Sequence, residues 1–464
     1  MTYQVRRSSL NESIVKENKR NKILKIATPV FIELLLGTLF GMVDMMMLGH
    51  FGGHEISTAS IAAVGITNQL IFIGLSLVQA LNVGATAMVA RYIGGKREDK
   101  IESVVKHIII LTQVLLVVPI LILGLGFTEE LMHFFGAKAD AIAIGKDYFK
   151  IATLGFAFQS FNFSIFAALR GAGDTKTPMN INIKVNLLNV VGNAILIYGL
   201  FGIKPLGITG AGISTTFSQF VALIFVTNHL RKSHSVIKLN IKDKFHFDKD
   251  VIYNLIKIGL PASLEQIAFR LGVLLFVKIV ASLGTVAYAT HQICLNILNL
   301  SFTPGQAFGI AASTLTGRSL GSDEQDEAEA YIKECQKIGV VISIFMMIMF
   351  FFFGKYVAML YSDDPAVLKE AAKILKLMAF TMPFQCSQLI LSGGLRGAGD
   401  TVWTLISTFI GVLGVRIIIA YYLVLVLKIG LVGAWIAVFI DQFTRWLVIT
   451  LRFRTNNWKY IALR

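Results

Sequence analysis

Charge is what this chain has least of. Only 15% of its 464 residues are Asp, Glu, Lys or Arg, where soluble domains carry about 25%, and a soluble globular protein is excluded. Acid is scarcer than base: 28 Asp and Glu stand against 43 Lys and Arg, a formal net charge of +15. Cysteine is nearly absent. Cys294, Cys335 and Cys386 supply neither a disulfide framework nor metal-ligand spacing, and read as small core residues. No GxxxxGK[ST] loop is present, since the flanks of Gly94-Gly95-Lys96 do not complete one. His54-Glu55 lacks the second histidine of HExxH, and no Ser–His–Asp arrangement is suggested. These absences argue against an enzyme and against any cofactor. The first 22 residues are polar with no apolar stretch, which excludes a cleaved signal peptide.

What remains is apolar. Hydrophobic residues make up 55% of the chain, with a mean hydropathy of +0.68. Stretches such as 108–126, 339–360 and 403–427 exceed or match the roughly 20 residues that cross a bilayer as a helix. The pattern predicts an all-α membrane protein with about twelve spans, at roughly 24–49, 59–90, 104–126, 147–169, 179–202, 208–230, 254–282, 286–316, 336–360, 370–395, 402–427 and 431–451. Strands are disfavoured because open sheet edges cannot be satisfied in lipid. Basic residues gather in alternate loops: Arg6 to Lys22, Lys96 to Lys100, Arg170 and Lys176, Arg231 to Lys249, Arg318, Arg396, and Arg452 to Lys459. Loops 50–58 and 283–285 have none. The positive-inside rule places both termini in the cytoplasm, and this spread of charge excludes a nucleic-acid partner.

The chain is one unit written twice. Arg170-Gly-Ala-Gly-Asp-Thr175 returns as Arg396-Gly-Ala-Gly-Asp-Thr401, 226 residues on, and Pro29/Glu33 returns as Pro261/Glu265, 232 on. Arg91-Tyr-Ile-Gly94 answers Arg318-Ser-Leu-Gly321, and Gly207-Ile-Thr-Gly-Ala211 answers Gly430-Leu-Val-Gly-Ala434. The expected organisation is a cytoplasmic segment 1–22, an N-lobe 23–230, a linker 231–253, a C-lobe 254–451 and a tail 452–464. Six helices per lobe make the halves parallel, a build common among secondary transporters. The linker reads as a solvated connector, amphipathic in part, that touches anionic lipid. Glycines let the two repeated turns reverse; Asp174 and Asp400 are placed to cap the next helix, with Arg170 and Arg396 as their partners.

An ionised side chain at the centre of a span costs about 2.5–3.5 kcal/mol on insertion scales, so each needs a partner or a purpose. Lys184 and Lys278 lie near helix ends and can snorkel. Arg416 and Asp441 sit at similar depth, as a structural pair or a functional one. Arg270 can serve Glu265 or Asp441. Glu33 and Glu265 each follow a proline by four residues, one turn on the same face, where the bend leaves room for a cation, a proton or a structural hydrogen bond. Asp44 has candidate polar neighbours in Asn68 and Gln69, and in the stripe Asn186, Asn189, Asn193. That stripe either joins helices or lines a cation site.

These residues resemble a known family. A helix 1 ending VD-x-x-x-L-G-H-x-G, paired L-R-G-x-G-D-T turns and a Pro–Glu in helix 7 are similar to prokaryotic multidrug and toxic compound extrusion (MATE) transporters, over residues 20–455. The resemblance implies a V-shaped pair of pseudo-symmetric six-helix lobes. It implies export of cationic amphipathic compounds in exchange for Na+ or H+ across the inner membrane, with a role in antibiotic resistance. It puts cation or proton coupling on Asp44, Asn189 and Glu265, with Asn193 and Glu33 beside them, and a possible Na+ on Asp44 and Asn189. Asn193 and Gln385 stand where family members often carry Asp, which leaves the coupling ion open. The substrate cavity is expected from Phe40, Met42, Asn68, Gln69, Phe158, Tyr288, Gln292 and Gln385, with Phe163, Phe308 and Phe384, and plain helix packing is the alternative for each. The expected partners are small organic cations and the bilayer, with the chain a monomer. A lipid-linked oligosaccharide flippase of the related superfamily is the alternative reading, and a membrane scaffold a third.

Overall fold

The computed structural model describes residues 2–51, 54–231, 237, 245–361 and 364–463, with side chains from Asn18 onward outside 52–58. Most of the expected linker, and the side chains of its N-terminal counterpart up to Glu17, lie outside the described residues.

Every regular element among the described residues is helical. The first half comprises α1 (Thr2–Gly49), α2 (His54–Gly94), α3 (Ile101–Thr112), α4 (Val118–Gly126), α5 (Thr128–Phe134), α6 (Ala139–Gly171), α7 (Lys176–Tyr198) and α8 (Gly207–Leu230). The second comprises α9 (Lys249–Ala281), α10 (Thr285–Gly321), α11 (Gln325–Ala358), α12 (Pro365–Ala379), α13 (Met382–Ala398), α14 (Thr401–Thr408), α15 (Ile417–Tyr421) and α16 (Leu431–Arg454). Nine spans among the described residues are long and apolar enough to cross a bilayer, or ten with α12 and α13 taken as one bent span. The other two long helices, α9 and α10, run 33 and 37 residues. Glu265, Arg270 and Lys278 dilute the first, and a Thr-, Ser- and Gln-rich run dilutes the second. With these two the architecture has the twelve segments expected.

Three segments differ in detail from the expectation. The span expected at 370–395 is broken between α12 and α13 by 49°. Pro383, in the first turn of α13, has no N–H to give the Ala379 carbonyl and continue the earlier helix, and the Thr381 N–H and hydroxyl both turn back to the Met378 carbonyl, at 2.9 and 2.6 Å. The loop 127–146 contains the short helix α5. The eleventh span is α-helical only in pieces, widening into π-helix over Phe409–Arg416 and Tyr422–Val426.

The duplication is visible in close backbone approaches. A Cβ on Gly171 would stand 2.5 Å from the Thr86 carbonyl oxygen, and one on Gly397 would strike the Ser313 carbonyl, so each repeated turn closes against its own half in the same way. Gly94 packs on the Arg318 carbonyl while Gly321 packs on the Arg91 carbonyl. The repeated Arg-x-x-Gly motifs therefore make one reciprocal contact, and only glycine fits there.

Contacts group the chain into two compact units. One comprises Met1–Phe31, Ala90–Lys96 and Leu260–Arg464; the other comprises Ile32–Val89 and Arg97–Gly259. Helices α1, α2 and α9 each pass from one unit to the other. In the first unit the N-terminal part of α1 packs Ile23, Ile26 and Ala27 against Phe308, Ala311 and Leu315 of α10. In the second, Leu48 of α1 joins Ala63, Phe149 and Ile197 in a core that borders the acid described next.

Candidate functional site

Asp44 lies on α1, within the second of these units. Its Oδ1 accepts a hydrogen bond from Asn193 Nδ2 of α7 at 2.8 Å. The Asn189 amide, one turn earlier on α7, is satisfied when its nitrogen faces the acid. Its Nδ2 then lies 3.2 and 3.1 Å from the two Asp44 oxygens, and its Oδ1 accepts from Thr215 Oγ1 at 3.0 Å and Thr215 N at 3.2 Å. Ser214 Oγ donates to the Asn189 carbonyl at 2.9 Å, tying α8 to α7 behind the site. Asn193 Oδ1 is buried without a partner among the described residues. The site is thus a carboxylate facing two amides, with one spare carbonyl-type oxygen beside it. That oxygen set suits a hard cation. Among the described residues no cluster of three or more His, Cys, Asp and Glu could hold a metal.

The other acids inside the spans are held by arginine. Glu33 Oε1 accepts from Arg170 Nη2 at 2.6 Å and from Asn182 Nδ2 at 2.5 Å. Glu265 Oε1 accepts from Arg396 Nη2 at 2.8 Å and Thr408 Oγ1 at 3.2 Å, and its Oε2 from Thr404 Oγ1 at 2.8 Å. The expected partnership of these arginines with Asp174 and Asp400 is corrected accordingly. Asp174 instead accepts from Thr177 N at 3.0 Å in the first turn of α7, and lies 3.6 Å from His229. Asp400 takes Arg452 Nε at 2.7 Å and does not cap α14. Glu33 and Glu265 thus each take the arginine of the repeated turn in their own half.

Asp441 is fully buried between two arginines. Arg416 Nε donates to its Oδ2 at 3.0 Å, and Arg445 Nε to its Oδ1 at 3.0 Å. The structure thereby pairs Arg416 with Asp441 and leaves Arg270 outside that network. Arg445 was passed over in sequence, although its i, i+4 spacing from Asp441 was a usable signal. Asn182, Thr215, Thr404 and Thr408 were missed too, although Asn182 extends the stripe of Asn186, Asn189 and Asn193 at helical spacing and Thr404 and Thr408 are one turn apart.

The remaining candidates are dispersed. Asn68 is half-buried and Gln69 exposed, and neither bonds to Asp44; Asn186 is half-buried outside the set. Phe40, Met42 and Phe158 belong to the same unit as Asp44, Met42 exposed and Phe158 edge-on to Phe220 at 5.4 Å. Tyr288, Gln292 and Gln385 belong to the other unit. Gln385 is fully buried with neither amide atom partnered, and it is not among the groups holding Glu265.

A duplicated bundle of membrane-crossing helices, with a carboxylate–amide site on its first helix, defines a transporter rather than an enzyme. A model of the MatE family matches residues 29–195 and again 261–422, one match per repeat and each beginning at the repeated proline, and the chain belongs to this family. It is 28% identical over 470 residues to a probable multidrug resistance protein NorM of Thermotoga maritima, covering 100% of this chain and 98% of that one. It is 26% identical to an uncharacterized transporter, YisQ, of Bacillus subtilis, covering 95% of each. Among solved structures, an outward-facing multidrug resistance MATE family transporter of the MOP superfamily superposes with a TM-score of 0.85 at 25% identity, over 94% of this chain and 95% of that one. A MOP superfamily transporter from Pyrococcus furiosus, described as having a binding pocket of reverse polarity, gives 0.86 at 25% identity over 94% and 95%.

Proposed function

We propose that this protein is a secondary multidrug exporter of the cytoplasmic membrane. It moves small amphipathic cations outward in exchange for Na+ or H+ by alternating access, with coupling at Asp44 and with both termini in the cytoplasm. The observation that carries this reading is the state of the acids inside the spans. Glu33, Glu265 and Asp441 each have an arginine, whereas among the described residues Asp44 has only amides. A half-buried carboxylate inside a span without a fixed cation gains most by taking a mobile one, be it a proton, Na+ or a cationic substrate. Competition among these for one acid is what antiport requires, and 100 mV across the membrane supplies about 2.3 kcal/mol per charge moved. Asn193 Oδ1 and the Asp44 oxygens are the ligands a Na+ would take; a proton needs Asp44 alone. Glu265, clasped by Arg396, is assigned no ion. The family membership and the naming of relatives for multidrug resistance support the substrate class, and no observation favours the flippase.

The test is ethidium flux in proteoliposomes under separately imposed Na+ and pH gradients. Wild type is expected to export under one of them. Asp44→Asn is expected to fall to background, at least tenfold, while still inserting in the membrane. Gradient-driven efflux by Asp44→Asn at the wild-type rate would sink the assignment, and flux of an anionic dye in place of ethidium would reverse the polarity of the cargo.

A further inference from the structure

Helices α1 and α7 run side by side in the same direction and are joined by two carboxylate–asparagine rungs. Glu33 meets Asn182 and Asp44 meets Asn193, and both pairs are 149 residues apart in the chain. Eleven residues separate the rungs on each helix, about three turns, so the two contacts belong to a single register. They differ in one respect. The inner rung has a charged third member, Arg170, from the last turn of α6; the third member of the outer rung is the neutral Asn189 amide.

The second repeat separates the two roles. Glu265, Arg396 and Thr408 stand 232, 226 and 226 residues beyond Glu33, Arg170 and Asn182, and they rebuild the inner rung with the same ion pair. The residue 232 beyond Asp44 is Phe276, so the outer rung is gone. A feature held in both repeats belongs to their common architecture, while the acid that only one repeat carries belongs to what that repeat does alone.

We propose that Glu33, clasped by Arg170, is a positioning residue that sets the register and rotation of α1 on α7 so that Asp44 faces Asn193 and Asn189. A slip of one residue turns a helix by about 100°, enough to carry Asp44 off both amides. Glu33 itself exchanges no ion, because the guanidinium already neutralises it. The proposal rests on Asp44 being the coupling group, and its rival is a second exchanging acid at Glu33, whose Oε2 is buried without a partner.

The experiment compares wild type, Glu33→Gln, Arg170→Gln, the double variant and Asp44→Asn in proteoliposomes, reading ethidium flux against pH and Na+ together with the number of ions exchanged per substrate. A positioning role leaves that number unchanged in Glu33→Gln and in the double variant. It displaces the half-activating ion concentration about tenfold, or the midpoint about one pH unit upward, as a carboxylate losing amide donors is neutralised more readily. The double variant should match Glu33→Gln, since neither keeps the clasp nor strands a charge. If Glu33→Gln fails to insert, the double variant supplies the same readout, and Arg170→Gln, which bares the Glu33 carboxylate, is the variant in which the ion count should rise. A lower ion count with an unmoved midpoint would make Glu33 an exchanging acid and overturn the proposal, as would profiles that superimpose on wild type. Coupled flux in Asp44→Asn would overturn the underlying reading instead, so the two failures are distinct.

Discussion

Glu33, Asp44, Glu265 and Asp441 lie well inside the spans, and what neutralises each one separates framework from site. Glu265 is 6% exposed and has Arg396 and two threonine hydroxyls around it, a set that leaves neither oxygen wanting. Removing the arginine alone would strand a buried charge, a change that costs about 3–5 kcal/mol in comparable pairs. Arg396→Ala is therefore expected to lower the melting temperature in detergent markedly. Glu265→Gln combined with Arg396→Gln should recover much of that loss, because no charge is then stranded. Equal loss in the single and double variants would show that the pair does not stabilise the fold as a unit. Asp441 obeys the same logic with two arginines, and Gly411 leaves the space they occupy: a Cβ there would lie 2.5 Å from Asp441 Oδ1 and collide with the Arg445 stem.

Elements bend where the sequence removes hydrogen-bond capacity or side-chain bulk. Pro383 breaks the tenth span, and the eleventh widens into π-helix around Gly411 and Gly414, bringing Arg416 to Asp441. π-helical turns of this kind gather at functional or strained positions. The described end of the linker is an element of a different kind, docked by polar contacts on α3. Asp248 N–H donates to His107 Nε2 at 3.1 Å, and this puts the ring proton on Nδ1, 2.7 Å from the Ser103 carbonyl. Phe245 lies against the same ring at 4.8 Å. Lys100 Nζ donates to Asp248 Oδ2 at 2.9 Å, and this hydrogen bond holds the Asp248 carboxyl below its usual range despite partial burial. A depressed carboxylate contributes its stabilisation above its ordinary pKa and loses it as pH falls through the depressed value. Amide hydrogens over 245–252 should thus be protected, relative to their intrinsic exchange rate at each pH, at neutral pH and lose that protection on acidification below the ordinary Asp range. Lys100→Ala should show faster exchange already at pH 7, by a factor of a few, since such a pair is worth about 1 kcal/mol or less. Identical exchange in the variant would remove this pair from the docking.

At the scale of the molecule, duplication places like motifs in like positions, and the reciprocal Gly94–Arg318 and Gly321–Arg91 contacts make that explicit. The basic loops predict orientation. Reporter fusions after residue 230 and at residue 464 should both read cytoplasmic, and one in the loop near residue 136 external. A cytoplasmic reading at all three would contradict the twelve-span topology. The compact units do not coincide with the two repeats, since Met1–Phe31 of the first repeat and residues 90–96 belong with Leu260–Arg464. Helices long enough to cross a bilayer also reach beyond the unit in which they start.

Composition, run length and repetition were enough to read an all-helical membrane protein with about twelve segments in two repeats, because lipid demands internally satisfied backbone and so restricts the choice of element. The helix-1 acid and the asparagine stripe were legible for the same reason: polar side chains in apolar helices are few and stand out. What each acid pairs with was not legible. Arg170 was read as a partner of Asp174 and is the partner of Glu33, 137 residues away; Arg445, not Arg270, completes the Asp441 cluster. Hydrogen bonding acts over about 3 Å and depends on helix rotation and register, which arise from packing among distant segments. Only the folded chain decided that three of these acids have an arginine and that, among the described residues, Asp44 does not.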